Sequence, residues 1–339
     1  MRPFFVTAAL IIGSIAAAVP QAGALPVPGA CSPTAVATGY SDGVNKVAAA
    51  GERIGGLSAL ARDPRGGRYL ALPDHTHTRA LVWPLTGVDE LPAPRPRIAG
   101  APITLTGPDG RPVSGRADNE GLAVLGDGSL AVASERGPSV SVYDRRGRWR
   151  DDLPVPRRYR VAPIGRARPN ASFEGLSATP SGDGLFVAME RELGGEGPRT
   201  RRILEYRRSP GGRLVLRREV VYRAAPGMRV AEIAAYAADR LLVLEAAYSP
   251  RTGTVTVLRS VDLRPPVFGA RSGRMVADLS RCPTLDARSR QPQRNPLLDN
   301  YEGMAVVPHA GGHLIHLVSD DNYSPRQTTR LLTLWARLP

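Results

Sequence analysis

Acidic side chains at repeated positions carry the chemistry this chain offers. Five segments share one short pattern: acid-Gly-Leu-small, a turn rich in Gly and Asp, then an apolar run closing on an acid. They run from Gly55-Gly56-Leu57-Ser58 to Leu72-Pro73-Asp74 and from Asn119-Glu120-Gly121-Leu122-Ala123 to Ser134-Glu135. The third runs from Phe173-Glu174-Gly175-Leu176-Ser177 to Met189-Glu190, and the fourth from Ala231-Glu232-Ile233-Ala234 to Leu244-Glu245. The last runs from Tyr301-Glu302-Gly303-Met304-Ala305 to Ser319-Asp320-Asp321.

About ten carboxylates thus occupy equivalent positions. Carboxylates gathered together repel one another and take up protons unless a counter-charge intervenes. A bound cation or a ring of arginines relieves the repulsion, and oxygen-only ligands favour Ca2+ or Mg2+ over zinc. The metal-ligand candidates are Asp118, Glu135, Glu190, Glu232, Glu245, Asp320 and Asp321. Asp320-Asp321-Asn322-Tyr323-Ser324 is the richest local run of oxygen ligands, and Asp118-Asn119-Glu120 is the second. Arg136 and Arg191 each follow a closing glutamate and are the alternative counter-charges. In the plainest alternative each Glu caps backbone N–H groups and binds nothing, since Asp and Asn favour turns in any case.

The elements that must position these acids are hairpins. In Phe173–Glu190 two short apolar runs flank Pro180-Ser181-Gly182-Asp183-Gly184. Antiparallel strands lie about 4.8 Å apart, so the opening and closing acids share one end of the hairpin. Repeats of this size signal a repeat architecture. The expected fold is all-β: a single β-propeller of six blades, with five as the alternative, closed by strands from both termini. Such closure removes exposed edges. The anchors Gly56, Gly121, Gly175, Ile233 and Gly303 lie about 54 to 70 residues apart, above the usual blade length, which calls for loop insertions or a sixth blade built partly from the termini. Ring symmetry then places the acid pairs on one face around one axis.

Composition bounds the setting. The chain has 339 residues and a formal charge of +14, nearly all from arginine, since Lys46 is its single lysine. Residues 1–24 read as a signal peptide: Arg2, an apolar run from Phe4 to Val19, and a small-residue site at Ala22-Gly23-Ala24. An N-terminal anchor is the alternative, but the run is shorter than the ~20 residues a span needs. Residues 25–52 are expected to join the ring closure and 53–339 to form the propeller. The mature protein is expected to be a secreted or cell-envelope monomer without a membrane span. Its two cysteines, Cys31 and Cys282, are expected to form a disulfide, with two buried thiols as the alternative. Excess arginine suits an anionic partner or simply a solvated surface; no basic run with interleaved aromatics points to specific nucleic-acid binding.

Other chemistries find little support. Gly39-Tyr40-Ser41-Asp42-Gly43 matches Gly-x-Ser-x-Gly, but a nucleophile elbow needs a helix after its strand and strongly helical sequence is scarce here. Lys46 is not in a phosphate-binding loop, and His75-Thr76-His77, in a Pro-flanked turn, reads as solvated histidines ahead of metal ligands or a proton relay. Paired carboxylates also serve glycoside hydrolysis, but no aromatic-rich sugar platform accompanies them.

At its motifs the chain resembles the phytase-like family described by an esterase-like activity of phytase. The resemblance rests on Gly55-Gly56-Leu57-Ser58 with Arg68-Tyr69-Leu70-Ala71-Leu72, on Asp118-Asn119-Glu120-Gly121-Leu122-Ala123 with Ser134-Glu135, and on Asn170 with Phe173-Glu174-Gly175-Leu176. It continues in Leu241-Leu242-Val243-Leu244-Glu245 and in Asn300-Tyr301-Glu302-Gly303-Met304 with Ser319-Asp320-Asp321-Asn322-Tyr323-Ser324. It spans about residues 53–335 in order. The resemblance implies a propeller related to calcium-dependent phytases and metal-assisted hydrolysis of a phosphate monoester or similar anionic small molecule. Glu120, Glu174 and Glu302 are then candidates to position an attacking water as general base. Arg136, Arg191 and Arg326 are candidates to bind phosphate. Two departures stand out: Leu72-Pro73-Asp74-His75 where the family tends to have Ser-Asp-Asp, and Glu245-Ala246 where it tends to have Glu-Arg. They put one ligand and one anion-binding arginine in question.

Overall fold

The computed structural model describes Met1, residues 30–264 and residues 271–339. The expected signal peptide lies almost wholly outside the described residues. Each acidic hairpin begins a separate antiparallel sheet, and the sheets form a five-bladed propeller. Blade 1 contains Leu57–Arg62, Tyr69–Pro73, Leu81–Thr86 and Arg97–Ile98. Blade 2 contains Asn119–Val124, Leu130–Ser134, Ser139–Tyr143 and Trp149–Asp152. Blade 3 contains Phe173–Ala178, Gly184–Met189, Thr200–Arg208 and Leu214–Arg223. Blade 4 contains Arg229–Ala237, Arg240–Ser249, Gly253–Asp262 and Arg274–Asp278.

Blade 5 closes the ring. Tyr301–His309, Gly312–Ser319 and Leu331–Ala336 come from the C-terminal part of the chain, and Ala35–Ser41 and Ala30–Ser32 from the N-terminal part. Of the two ring sizes the spacing leaves open, five is the one observed. The terminal strands do not build a sixth blade; they complete the fifth hairpin's sheet, because that hairpin supplies only two strands of its own. The long anchor spacings are loop insertions, such as the segment from Gly100 to Asp118 between blades 1 and 2. Arg330 locks the closure: its Nε and Nη2 donate to the two carboxylate oxygens of Asp42 at 2.8 and 2.9 Å. Cys31 and Cys282 form the expected disulfide and tie the edge of blade 5 to the end of blade 4.

The core is divided among the blades. Five clusters of buried apolar side chains sit one at each interface between neighbouring blades. Each inner sheet is therefore covered on both faces, and its strands read as unbroken apolar runs rather than alternating ones. Leu241-Leu242-Val243-Leu244, all fully buried, is such a run. The five first strands pack side by side around the axis, blade 5 against blade 1 included.

Candidate acidic mouth

A glycine and a bulge place each inner glutamate. Pairing between the first two strands of the blades slips at Asn119/Gly121, Phe173/Leu176, Val230/Glu232 and Tyr301/Gly303. A bulge leaves one residue out of the ladder and re-aims its side chain; here the residues at or beside the slip are Glu120, Glu174, Glu232 and Glu302. The glycine that follows is required by space. A Cβ at Gly175 would lie 2.8 Å from the Ile233 nitrogen, and one at Gly303 would lie 2.7 Å from the Leu60 nitrogen. Blade 1 differs, because Gly55 stands at the opening position. A Cβ there would lie 2.6 Å from Asp321 Oδ1 and against the Tyr323 ring, so blade 5 fills that space.

The mouth has an arginine at its centre that sequence reasoning missed. Arg229, the first residue of blade 4's inner strand, donates from Nη1 to Glu174 Oε1 at 2.6 Å and from Nη2 to Glu302 Oε1 at 2.5 Å. Its Nε lies 3.7 Å from Glu190 Oε1, and Nη2 also reaches Asn300 Oδ1 at 3.3 Å. One guanidinium therefore bridges blades 3, 4 and 5. Burial works against its charge, but Glu302, Glu174 and Glu190 more than offset this and hold its pKa above the ordinary value. The only sequence signal was a cation three residues before Glu232, in the blade where Ile233 replaces the glycine of blades 2, 3 and 5.

Carboxylates outnumber this charge. Burial raises the Glu120 pKa well above the usual range, helped by Glu302, Asp74, Glu135 and Asp118. Glu174 is raised by burial and by Glu120, against the pull of Arg229. Glu135 is pushed up to about 8 by burial and by Glu190, although its Oε1 accepts the Ser172 N–H at 2.6 Å. Glu190 and Asp320 are raised chiefly by burial, and Asp74 likewise.

Asp118, Glu120 and Glu135 each offer an oxygen within 4.8 Å of the others, and so do Glu135, Glu174 and Glu190. Oxygens on opposite sides of a Ca2+ ion, each about 2.4 Å from it, lie about 4.8 Å apart. The donor set is all oxygen, crowded and short of positive charge, so these residues fit a hard divalent cation.

Several other sequence candidates have one or both oxygens engaged in hydrogen bonds. Glu232 is fully buried and its Oε1 accepts the N–H groups of Leu176 at 2.8 Å and Ile233 at 2.9 Å. Glu245 is also fully buried; it accepts from Tyr222 at 2.6 Å, Ala225 at 3.0 Å and Arg259 at 3.0 Å. Asp321 pairs with Lys46 and accepts the Gly56 N–H at 2.9 Å and the Tyr323 N–H at 3.1 Å. Asp320 accepts the Asn322 N–H at 2.6 Å.

Among the candidate arginines, Arg191 lies 3.9 Å from Glu190 at the mouth and is partly exposed. Arg136 is turned aside, donating to the Arg116 carbonyl at 2.8 Å, and Arg326 is exposed. His75 hydrogen-bonds Asp74 through Nδ1 at 2.5 Å and lies against the Tyr323 ring.

The channel changes character away from the acids. A cavity of about 520 Å³ is lined by Leu60, Leu122, Leu176, Ile233 and Met304 from the five inner strands. Part of the arginine excess gathers around another, of about 650 Å³, between blades 2 and 3, where Arg145, Arg146, Arg148 and Arg213 line a crevice. Among the described residues, no helix is long and apolar enough to cross a membrane.

A family model described as "Phytase-like: Esterase-like activity of phytase" matches residues 52–323. No curated protein sequence gives a significant match. Among solved structures, virginiamycin B lyase from Staphylococcus aureus is similar at 9% identity and a TM-score of 0.33, over 82% of this chain and 65% of its own. A putative oxidoreductase (glucose dehydrogenase) from Thermus thermophilus is similar at 17% identity and a TM-score of 0.36, over 83% of each chain. A protein of unknown function from Dyadobacter fermentans is similar at 13% identity and a TM-score of 0.42, over 85% of this chain and 77% of its own.

Proposed function

The chain belongs to the phytase-like family, and from that premise we propose that it is an exported, divalent-cation-dependent phosphoric ester hydrolase working at the acidic mouth. The observation that carries this reading is the meeting of Asp118, Glu120, Glu135, Glu174 and Glu190, from two blades, as two overlapping oxygen triads. These five residues would hold the cation, Ca2+ by donor type and Mg2+ as the smaller alternative. When bound, such an ion polarises a phosphoryl oxygen and offsets the charge of an anionic substrate.

The remaining steps belong to the chain's own side chains. Glu302, fixed by Ser58 at 3.3 Å, Asn300 at 3.0 Å and Arg229, projects into the mouth beside the triads. Glu302 would take a proton from an attacking water; Glu120 and Glu174, the other sequence candidates for that role, would be committed to the cation. Arg191, 3.9 Å from Glu190, would receive the phosphate, with Arg136 and Arg326 as the other candidates. Closure of the ring around the buried acids keeps their charges in a medium of low dielectric, where electrostatic stabilisation is stronger than in water.

The test is turnover of a chromogenic phosphate ester by purified protein with calcium, then with chelator. Calcium-dependent turnover that falls at least a hundredfold in Glu174→Gln and Glu302→Gln supports the hydrolase. A second reading, a non-catalytic cation-dependent binding propeller of the cell envelope, is favoured by Arg229 and Lys46 already occupying mouth carboxylates. Calcium binding without turnover would select it.

A further inference from the structure

Arg229 and one of the two oxygen triads draw on the same carboxylates. We propose that Arg229 is a built-in counter-cation that a divalent ion must displace from Glu174 and Glu190, and that the displaced guanidinium becomes the phosphate-binding group of the mouth. The inference rests on the metal reading above and deepens it.

Three observations carry it. Glu174 Oε1 accepts from Arg229 Nη1 at 2.6 Å, and Glu190 Oε1 lies 3.7 Å from Nε. Glu174 and Glu190 are also two members of the Glu135–Glu174–Glu190 triad. A guanidinium and a divalent ion neutralising the same two carboxylates repel each other, so each weakens the other by the same factor.

The second observation is the tether. Nη2 is held separately by Glu302 at 2.5 Å and Asn300 at 3.3 Å. Neither is a member of an oxygen triad. Release of Nη1 and Nε therefore leaves the side chain in the mouth with charged N–H donors free for phosphate oxygens.

The third is the contrast with the other triad. Asp118 and Glu120 receive no hydrogen bond from Arg229 among the described residues. An ion at Asp118–Glu120–Glu135 shares only Glu135 with the other triad and breaks no hydrogen bond of Arg229, so the two triads should bind with unequal affinity, the less contested one first.

The experiment compares metal-free wild type with Arg229→Met by calcium titration calorimetry and by thermal unfolding with and without calcium. Expected is a variant that binds calcium at the weaker step about tenfold or more tightly, within the ordinary range of coupling between two sites. Without metal it should melt below wild type, and calcium should raise its melting temperature by more than it raises that of wild type. Inorganic phosphate should bind wild type more tightly once calcium is present, and Arg229→Met should lose most of that gain. Arg229→Lys, which keeps the charge but cannot stay tethered through one nitrogen while donating from two others, should fold if the methionine variant does not; it should lose the phosphate gain while changing calcium affinity less.

Equal calcium affinity in wild type and variant, or an undiminished phosphate gain, would overturn the competition and leave the metal reading standing. Calcium binding by neither protein, both folded, would remove the metal reading and this inference together.

Discussion

Glu232 of blade 4 accepts the backbone N–H of Leu176 in blade 3 at 2.8 Å. The same oxygen accepts the N–H of Ile233 at 2.9 Å. One oxygen of the acid at blade 4's repeat position thus joins two blades. Glu232→Ala should cost about 1–3 kcal/mol, because it strands two buried donors. Glu232→Gln keeps an acceptor oxygen and sheds a buried charge, so it should be close to neutral. Denaturant melts of the two variants, with calcium titrations alongside, check this; a weakened calcium affinity in the glutamine variant would make Glu232 a ligand after all.

Lys46 is the partner of Asp321, whose side chain is fully buried while that of Lys46 is 20% exposed. Lys46→Met should destabilise the protein by about 2–3 kcal/mol, below the range for a fully buried pair because the ammonium keeps some water. Asp321→Asn in the same chain should recover most of the loss, since Asn retains the oxygen that accepts from Gly56 and Tyr323. Chemical denaturation of the single and double variants measures the coupling.

Gly175 has no room for a side chain. Its Cβ would meet backbone atoms of Glu232 and Ile233 at 2.8–3.0 Å. Backbone cannot swing aside, so Gly175→Ala should part blades 3 and 4 and cost about 1–3 kcal/mol. It should also misplace Glu174 and lower calcium affinity. Calorimetry with calcium reads both effects; unchanged affinity would separate the packing role of the glycine from the site.

Asp299 is pushed up to about 6 by burial, although it accepts N–H groups from Asn300 and Thr328. Its ordinary pKa is 3.8. Between those values the folded protein keeps a proton that the unfolded chain has lost, so stability falls as pH rises through that window and levels off above it. Asp299→Asn should fall less steeply between pH 4 and 6. Subtracting the two unfolding curves isolates this group from the mouth acids.

Much of this was legible in the chain itself. The Glu-Gly signatures of blades 2, 3 and 5 announced a repeat, and their hairpins announced strands, because turn chemistry and apolar runs are properties of neighbouring residues. The two cysteines anticipated a bond that residues 251 apart in the chain do form. The spacing left the ring size open, because loop insertions and extra strands lengthen a repeat in the same way; only the pairing of Ala35–Ser41 with Leu331–Ala336 decided for five blades.

The distribution of charge was another matter. Glu245 and Asp321 look like ligand candidates when read as letters, and each has both oxygens engaged by other partners, while Glu232 has one. Arg229 resembled any other arginine of a strongly basic chain, and the histidines gave no sign that His75 would pair with Asp74. Which acids keep free oxygens depends on what the neighbouring blade brings within about 3 Å. That is a relation between segments tens to hundreds of residues apart, so local pattern fixed where the carboxylates begin and the packing of the ring decided which of them remain available.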